Sequence, residues 1–160
     1  MQATFTLRQF QPDDLDRIIH INRVCLPENY SPNFFIDLHE RYSATFLVAE
    51  LGGDVVGYIM CRMERGFSNF GLFGVSKKGH VVSIAVLPEY QRKGMGVALM
   101  EEAMKNMRLY RAKECYLEVR VSNVAAVEMY KKLGFEKVRT SKGYYADGES
   151  ALVMAKKIEK

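Results

Sequence analysis

The chain has 160 residues, of which 48% are hydrophobic and 26% charged, with a formal net charge of +4. These values are typical of one globular domain, so we expect a single domain over residues 1–160. They exclude a membrane span of ~20 apolar residues, and no basic and apolar leader is evident, which favours the cytoplasm. The modest positive charge suits an anionic ligand but gives little support to specific nucleic-acid binding. Three scattered cysteines lack metal-ligand spacing, so no metal is expected.

The first half of the chain is predicted to form strands and two helices separated by a proline-containing break at 26–30. Ser31 followed by Pro32 predicts the start of the second helix. The predicted elements are a strand at 4–10, a helix from 12 to about 25, a helix from 32 to about 40, and hairpin strands at 45–50 and 55–63.

The second half alternates strands and helices, after a segment at 65–79 that contains four glycines and is predicted to be a loop or a loose hairpin end. The predicted elements are a central strand from 79 to about 87, a helix from 94 to about 108, a strand at 114–120, a helix from 123 to 133, and strands at 135–139 and 150–156. The order β-α-α-β-β-β-α-β-α-β-β indicates an α/β fold with a twisted, mixed sheet of about seven strands flanked by four helices. The two late β-α-β steps should give parallel neighbours.

A glycine turn opens the helix that follows the central strand, within Gln91–Gly96. The first N–H groups of a helix have no partner inside it and suit a phosphate. Gly94 and Gly96 keep side chains away, and Arg92 and Lys93 add positive charge. This combination predicts a pyrophosphate site, and a helix start that merely uses glycine is the alternative.

His80 and Glu118 are the first candidates for proton transfer. His80 is placed at the start of the central strand and Glu118 in the strand after the next helix. If these strands are neighbours, both side chains reach one cleft and can remove a proton from an amine. The alternatives are a strand-end histidine bonded to a backbone carbonyl and a surface carboxylate.

Three further sites carry candidate groups. Glu28 lies in the rigid connection between two helices, a position suited to a specificity group. Tyr130, placed on a helix surface, is a candidate proton donor to a thiolate, because a phenol has a pKa near ~10. Tyr144 and Tyr145 are candidates for hydrogen bonds to a bound backbone. The alternatives are a solvated carboxylate, a core tyrosine and simple turn packing.

Two motifs in this order resemble those of the Gcn5-related N-acetyltransferase (GNAT) superfamily, over essentially the whole chain. They are Gln91-Arg92-Lys93-Gly94-Met95-Gly96 and Asn123-x-x-Ala126-x-x-x-Tyr130-x-x-x-Gly134-Phe135. Residues 25–30 and 144–149 look like the Ard1-type catalytic subunit of the N-terminal acetyltransferases, and residues 117–123 look like its archaeal branch.

The resemblance implies acetyl-CoA as cofactor and assigns roles to matching positions. The cofactor would be bound by Ile84, Ala85, Val86, Gln91, Arg92, Lys93, Gly94, Met95, Gly96, Val97, Asn123, Tyr130 and Lys132. The peptide would be bound by Leu26, Glu28, Tyr30, Tyr144 and Tyr145. The catalytic groups would be His80, Glu118, Glu28 and Tyr130, and three of them (His80, Glu118 and Glu28) remain open as the general base.

The expected function is transfer of acetyl from acetyl-CoA to the α-amino group of nascent or ribosomal proteins, with broad first-residue specificity (Ser, Ala, Thr or Met). The eukaryotic Ard1-type subunit usually has His at the position of Glu118 and works with an auxiliary subunit. This chain ends at Lys160 without a long tail, which favours activity without that subunit. Proximity to the ribosome is a further expectation. The alternatives are an acetyltransferase for one ribosomal protein, for lysine or for small amines, and a non-catalytic CoA-binding regulatory module.

Overall fold

The computed structural model describes residues 4–71 and 74–158, in which seven strands and four α-helices occur in the predicted order. None of these helices is long and apolar enough to cross a membrane. The elements are β1 (Thr6–Gln9), α1 (Leu15–Cys25), α2 (Pro32–Arg41), β2 (Leu47–Leu51), β3 (Asp54–Phe67), β4 (Val75–Val86), α3 (Met95–Met107), β5 (Glu114–Arg120), α4 (Val124–Lys132), β6 (Glu136–Ser141) and β7 (Ala151–Lys157).

The strands form one mixed sheet in the order β1-β2-β3-β4-β5-β7-β6, which confirms the predicted α/β class and strand number. Contacts divide the chain into two compact units. Unit 1 comprises Met1–Arg62 and Val81–Tyr110, and unit 2 comprises Met63–His80 and Arg111–Lys160. Both β3 and β4 supply residues to each unit. The expectation of one domain over 1–160 stays a prediction.

In unit 1, β1 pairs antiparallel with β2, and β2 with β3. The predicted start of α2 is confirmed, since the Ser31 side chain accepts a hydrogen bond from the N–H of Phe34 and Pro32 occupies the first turn. Strands β3 and β4 approach closely at Gly57, where an added Cβ would lie 3.0 Å from Val86 Cγ2. A side chain at this position would therefore push the two strands apart.

In unit 2, β4 pairs parallel with β5 over three positions that end at His80↔Tyr116. Strand β7 then pairs antiparallel with both β5 and β6. The prediction that both late β-α-β steps give parallel neighbours is therefore right for β4 and β5 and wrong for β5 and β6. The last strand inserts between them, and local sequence patterns carry no information about such an insertion.

The segment 65–79 is more regular than predicted. Strand β3 continues to Phe67 and β4 already begins at Val75, so most of this segment is strand. Its glycines suggested a loop, yet pairing between two long strands overrides that local preference. His80 consequently lies inside β4 and not at its start. Leu72 and Phe73 of the same segment lie outside the described residues.

Candidate functional site

The predicted phosphate loop in unit 1 has the geometry of an anion-binding helix start. Gly94 is the N-cap of α3 with φ +87°, and the first helical bond runs from the N–H of Ala98 to the carbonyl of Gly94. The N–H groups of residues 95–97 thus precede the first bond and point out of the helix start. An added Cβ at Gly94 would meet no heavy atom within 4 Å, so the left-handed conformation, and not crowding, favours glycine.

The charge around this turn also suits a pyrophosphate. Arg92 and Lys93 are exposed beside the turn, and Arg92 has φ +65°. Backbone N–H groups, the positive end of the helix dipole and two cations then act on the same anion. The residues present therefore fit the diphosphate of coenzyme A.

The carboxyl-terminal part of β4 is the last strand of unit 1 in sheet order, which leaves one edge of that unit to an added strand. The carbonyl of Val86 already accepts hydrogen bonds from Gln91 Nε2 at 2.8 Å and from the Cys25 thiol at 3.5 Å. A pantetheine arm beside Ile84 and Ala85 would therefore have to share the Val86 carbonyl. The predicted pairing with the cofactor stays a prediction.

The connection at 26–30 is held by one buried side chain, Asn22, which is 1% exposed. Its Nδ2 donates to the carbonyl of Glu28 at 3.0 Å, and its Oδ1 accepts from the N–H of Tyr30 at 3.3 Å. The hydroxyl of Tyr30 donates to the carbonyl of Val82 at 3.4 Å. The loop that carries Leu26, Glu28 and Tyr30 is thus fixed against α1 and β4.

Asn22 itself depends on a buried hydroxyl pair that sequence patterns did not reveal. Its Nδ2 also donates to the Tyr58 hydroxyl at 3.2 Å, which lies 2.7 Å from Ser83 Oγ. Burial raises the pKa of Tyr58 to about 12, so this network stays neutral at all physiological pH values. Buried polar groups need such partners, because leaving one unpaired costs about 1–3 kcal/mol.

In unit 2, His80 and Glu118 are in direct contact. His80 Nε2 lies 2.7 Å from Glu118 Oε1, and His80 Nδ1 lies 2.9 Å from Glu64 Oε2. The ring stacks on Tyr116 with centroids 4.3 Å apart, and the Tyr116 hydroxyl donates to the other oxygen of Glu64. The alternative of a histidine bonded to a backbone carbonyl is therefore wrong.

The two carboxylates decide the charge of His80. Burial lowers the pKa of His80, but hydrogen bonds and charge from Glu118 and Glu64 outweigh it, so the pKa is raised above its ordinary value of 6.5. An imidazolium satisfies both carboxylates with two N–H donors, whereas a neutral ring can donate to only one. Glu64 was not identified from the sequence. The one feature that could have indicated it is the position of this carboxylate directly after the apolar run of β3.

A second charged cluster of unit 2 holds the predicted turn at 144–149. The Arg120 guanidinium lies 4.0 Å from the centroid of the Tyr145 ring and donates to Asp147 and Glu149, each at 2.9 Å. Glu149 also accepts from the N–H of Ser122. Backbone and Arg120 hydrogen bonds lower the pKa of Asp147, and hydrogen bonds from Ser122 and Arg120 lower that of Glu149. Both carboxylates therefore remain charged to pH values below their ordinary range.

The second predicted motif starts as expected but differs at Tyr130. Asn123 caps α4, because its Oδ1 accepts from the N–H of Ala126 at 3.2 Å. Tyr130 is 6% exposed, so its placement on a helix surface is wrong, and burial raises its pKa to about 12. It packs on Phe135, while Lys132 at the end of α4 is exposed. A phenol with this pKa stays protonated at neutral pH and can donate a hydrogen bond.

The profile of the acetyltransferase (GNAT) family matches residues 15–135. The chain belongs to the GNAT acetyltransferase family. A relative from Saccharolobus solfataricus named N-alpha-acetyltransferase is 55% identical over 154 residues, which cover 95% of this chain and 92% of that relative. GNAT acetyltransferases take their acetyl group from acetyl-CoA, which agrees with the loop at Gly94.

Solved structures agree with this family and fold. Ard1 from Thermoplasma volcanium is similar with a TM-score of 0.83 and 29% identity, and the match covers 98% of this chain and 99% of that one. Naa20 from Chaetomium thermophilum, in complex with a bisubstrate analogue, has a TM-score of 0.83 and 29% identity, and the match covers 96% of this chain and 86% of that one.

Within residues 4–71 and 74–158, this GNAT chain has no cluster of three or more side chains suited to a metal ion.

Proposed function

We propose that this GNAT enzyme transfers the acetyl group of acetyl-CoA to the α-amino group of proteins. The observation that carries the proposal is the Glu64–His80–Glu118 cluster in unit 2, which places a carboxylate on β5 in direct contact with the buried His80 ring. The relative from Saccharolobus solfataricus, named for the same activity, supports it at 55% identity. Bound acetyl-CoA supplies the thioester carbonyl that the amine attacks.

Glu118 is the group that accepts the proton of the substrate amine. An α-amine has a pKa near ~8, so it is mostly protonated at neutral pH and needs only a modest base. A protonated His80 cannot serve as that base, but its N–H fixes Glu118 Oε1 and leaves the second carboxylate oxygen for the amine. Glu64 keeps His80 charged and oriented. Tyr130 then acts as a hydrogen-bond donor to the leaving thiolate.

Each unit contains one fixed loop whose side chains are candidates for contact with the peptide. In unit 1, the Asn22 network orders the loop with Leu26, Glu28 and Tyr30, and in unit 2 Arg120 contacts the Tyr145 ring, on which Tyr144 packs. Preorganised backbone lowers the entropy lost when a flexible peptide binds. We propose that these side chains read the first residues, with Ser, Ala, Thr and Met accepted.

The same proposal covers the substrate proteins, the need for an auxiliary subunit and the location of the enzyme. The chain acts on nascent or ribosomal proteins without an auxiliary subunit. Relatives of similar length from Saccharolobus solfataricus and Sulfurisphaera tokodaii are named N-alpha-acetyltransferase. The expected cytoplasmic location stays a prediction.

The test is release of coenzyme A from acetyl-CoA with short peptides that begin with Ser, Ala, Met-Leu, Met-Glu or Glu, each containing one lysine. The matched controls are the same peptides with blocked amino termini, together with spermidine. We expect turnover only with peptides whose amino termini are free. The ranking of their turnover rates then gives the specificity for the first residue. Turnover with blocked peptides or with spermidine would move the enzyme to lysine or small-amine substrates, and acetyl-CoA binding without any turnover would indicate a regulatory module.

A further inference from the structure

The charge of the chain is divided unequally between its two units. Unit 1 contains 9 lysines and arginines against 11 aspartates and glutamates, whereas unit 2 contains 14 against 8. The net charges are therefore −2 and +6, which sum to the modest +4 of the whole chain. A strongly basic unit inside a protein of modest net charge favours a polyanionic partner at that unit.

Most carboxylates of unit 2 are bonded within the unit, either to its own basic side chains or to neutral donors. Glu128 is paired with Lys131 on the surface of α4. The carboxylates bonded to histidine, arginine, or hydroxyl and amide donors are Glu64, Glu118, Glu114, Asp147 and Glu149. The positive charge that remains is carried largely by lysines and arginines at the surface.

Two of these cations bind the segment that follows β3. Lys78 Nζ donates to the carbonyl of Phe67 at 3.1 Å, and Arg139 Nη1 donates to Asn69 Oδ1 at 3.0 Å. Neutral oxygens fix the directions of both side chains without cancelling their charge. Both cations are therefore held in place beside residues 67–71.

Two more cations lie against the same segment. Lys157 Nζ is 5.5 Å from the centroid of the Phe70 ring, and Lys113 and Lys157 line a cavity of about 230 Å³ with Phe70. The one carboxylate in this cavity is Glu114, which is 2% exposed and accepts from the backbone and side-chain N–H groups of Asn69. This carboxyl group is thus buried beneath the lysines.

An exposed aromatic side chain completes the surface. Phe67 is 81% exposed, although burial is the usual state of phenylalanine. Cations that follow a sugar-phosphate backbone, with aromatic rings on which bases stack, are the features of proteins that bind single-stranded nucleic acid. An acidic peptide would use the cations but has no base to stack on Phe67.

We propose that Lys78, Lys113, Arg139 and Lys157, with the exposed Phe67, form a docking surface for single-stranded nucleic acid, tested here as RNA, that recognises phosphates and base faces without reading sequence. We call it the basic surface of unit 2. It uses none of the residues placed in the acetyl-transfer site. RNA binding and acetylation of a short peptide are therefore separable functions of one chain.

The test is fluorescence anisotropy of a labelled, mixed-sequence RNA of about 12 nucleotides with the full chain, at salt concentrations from roughly 50 to 200 mM. The variant removes three cations, Lys113→Gln, Arg139→Gln and Lys157→Gln. The matched control removes three exposed cations of unit 1, Arg23→Gln, Arg41→Gln and Lys105→Gln, and changes the net charge by the same amount. Phe67→Ser tests the stacking contribution at unchanged charge.

The expected result is a tenfold or greater loss of RNA affinity in the unit 2 variant, with a salt slope shallower by about 2, because each phosphate contact on a single strand contributes ~0.7. The control stays within twofold, Phe67→Ser weakens binding about fivefold or more, and all variants acetylate a free peptide at the natural rate. Equal losses in both triple variants would overturn the proposal. Absence of saturable binding at low salt would do so too, as would displacement by polyglutamate as effective as by unlabelled RNA.

Discussion

The two units organise their loops by different chemistry. In unit 1, Asn22, Tyr58 and Ser83 form a neutral, buried network that holds residues 26–30. In unit 2, the Glu64–His80–Glu118 cluster and the Arg120 cluster are built from charges. Neutral hydrogen bonds do not titrate near neutral pH, whereas charged clusters respond to pH and salt.

This difference assigns separate roles to the two units. Unit 1 offers backbone N–H groups and a fixed loop, which bind and orient. Unit 2 offers Glu118, which accepts the proton in the proposed function, and His80, which holds that carboxylate. We therefore expect changes in unit 1 to act on binding constants and changes in unit 2 to act on kcat and its pH dependence.

The largest effect is expected from Glu118→Gln. The amide keeps the shape but cannot accept a proton, so kcat/KM for a Ser-starting peptide should fall by about 10²–10³. The matched control is Glu136→Gln, an exposed carboxylate of the same unit, which should leave kcat/KM unchanged. A loss of this size in Glu28→Gln, with Glu118→Gln near the natural rate, would transfer the base to unit 1.

His80→Gln is expected to destabilise unit 2 in a pH-dependent way. Because the pKa of His80 is raised in the folded state, its stabilisation is fully present below the ordinary histidine pKa of about 6.5 and is lost as the pH rises through the raised value. The variant should lower the free energy of unfolding by about 1–3 kcal/mol at mildly acidic pH, and by less at higher pH. Thermal unfolding across pH measures this, and a difference that grows with pH would contradict it.

In unit 1, Gly94→Ala should weaken acetyl-CoA binding about tenfold, equivalent to ~1.4 kcal/mol, because an L-residue resists φ +87° and the helix start loses its shape. Gly53→Ala is the control, since Gly53 has φ +86° and the same open surroundings in the β2–β3 turn. Both variants should lose similar stability, but only Gly94→Ala should lose affinity in a calorimetric titration. Equal affinities would remove the loop from the cofactor site.

The smallest effect is expected from Tyr58→Phe, which deletes the hydroxyl bonded to Asn22 and Ser83. The loop at 26–30 loses part of its support, so KM for the peptide should rise several-fold, while acetyl-CoA affinity and the pH profile stay unchanged. Tyr110→Phe makes the same chemical change at a hydroxyl that accepts from the N–H of Ala44, in the same unit. A shifted pH profile in Tyr58→Phe would break the separation of roles between the units.

Local patterns predicted the order of elements because each depends on short-range chemistry. Ser31 and Asn123 cap helices, and Gly134 ends one with φ +97°, as their residue types indicate. Strand pairing is different, since β7 lies between β5 and β6 through contacts that no local signal encodes.

Local sequence patterns have the same limit at the candidate site. The sequence identified His80 and Glu118, but Glu64 lies 16 residues from His80, and only the pairing of two long strands brings them together. Tyr130 was placed on a surface because helical spacing shows which residues share a face, and not which face is covered. Asn22 was one polar residue on an apolar helix face, and its three hydrogen bonds depend on the fold of the chain around it.

The protonation state of His80 decides whether Glu118 or His80 accepts the proton, and NMR of ¹⁵N-labelled enzyme measures it across pH. The chain has three histidines, and His80→Gln assigns the signal. We expect an imidazolium, with protons on both Nδ1 and Nε2, at pH values above the ordinary histidine pKa of about 6.5. A neutral ring with one protonated nitrogen at neutral pH would contradict it and would make His80 itself the base.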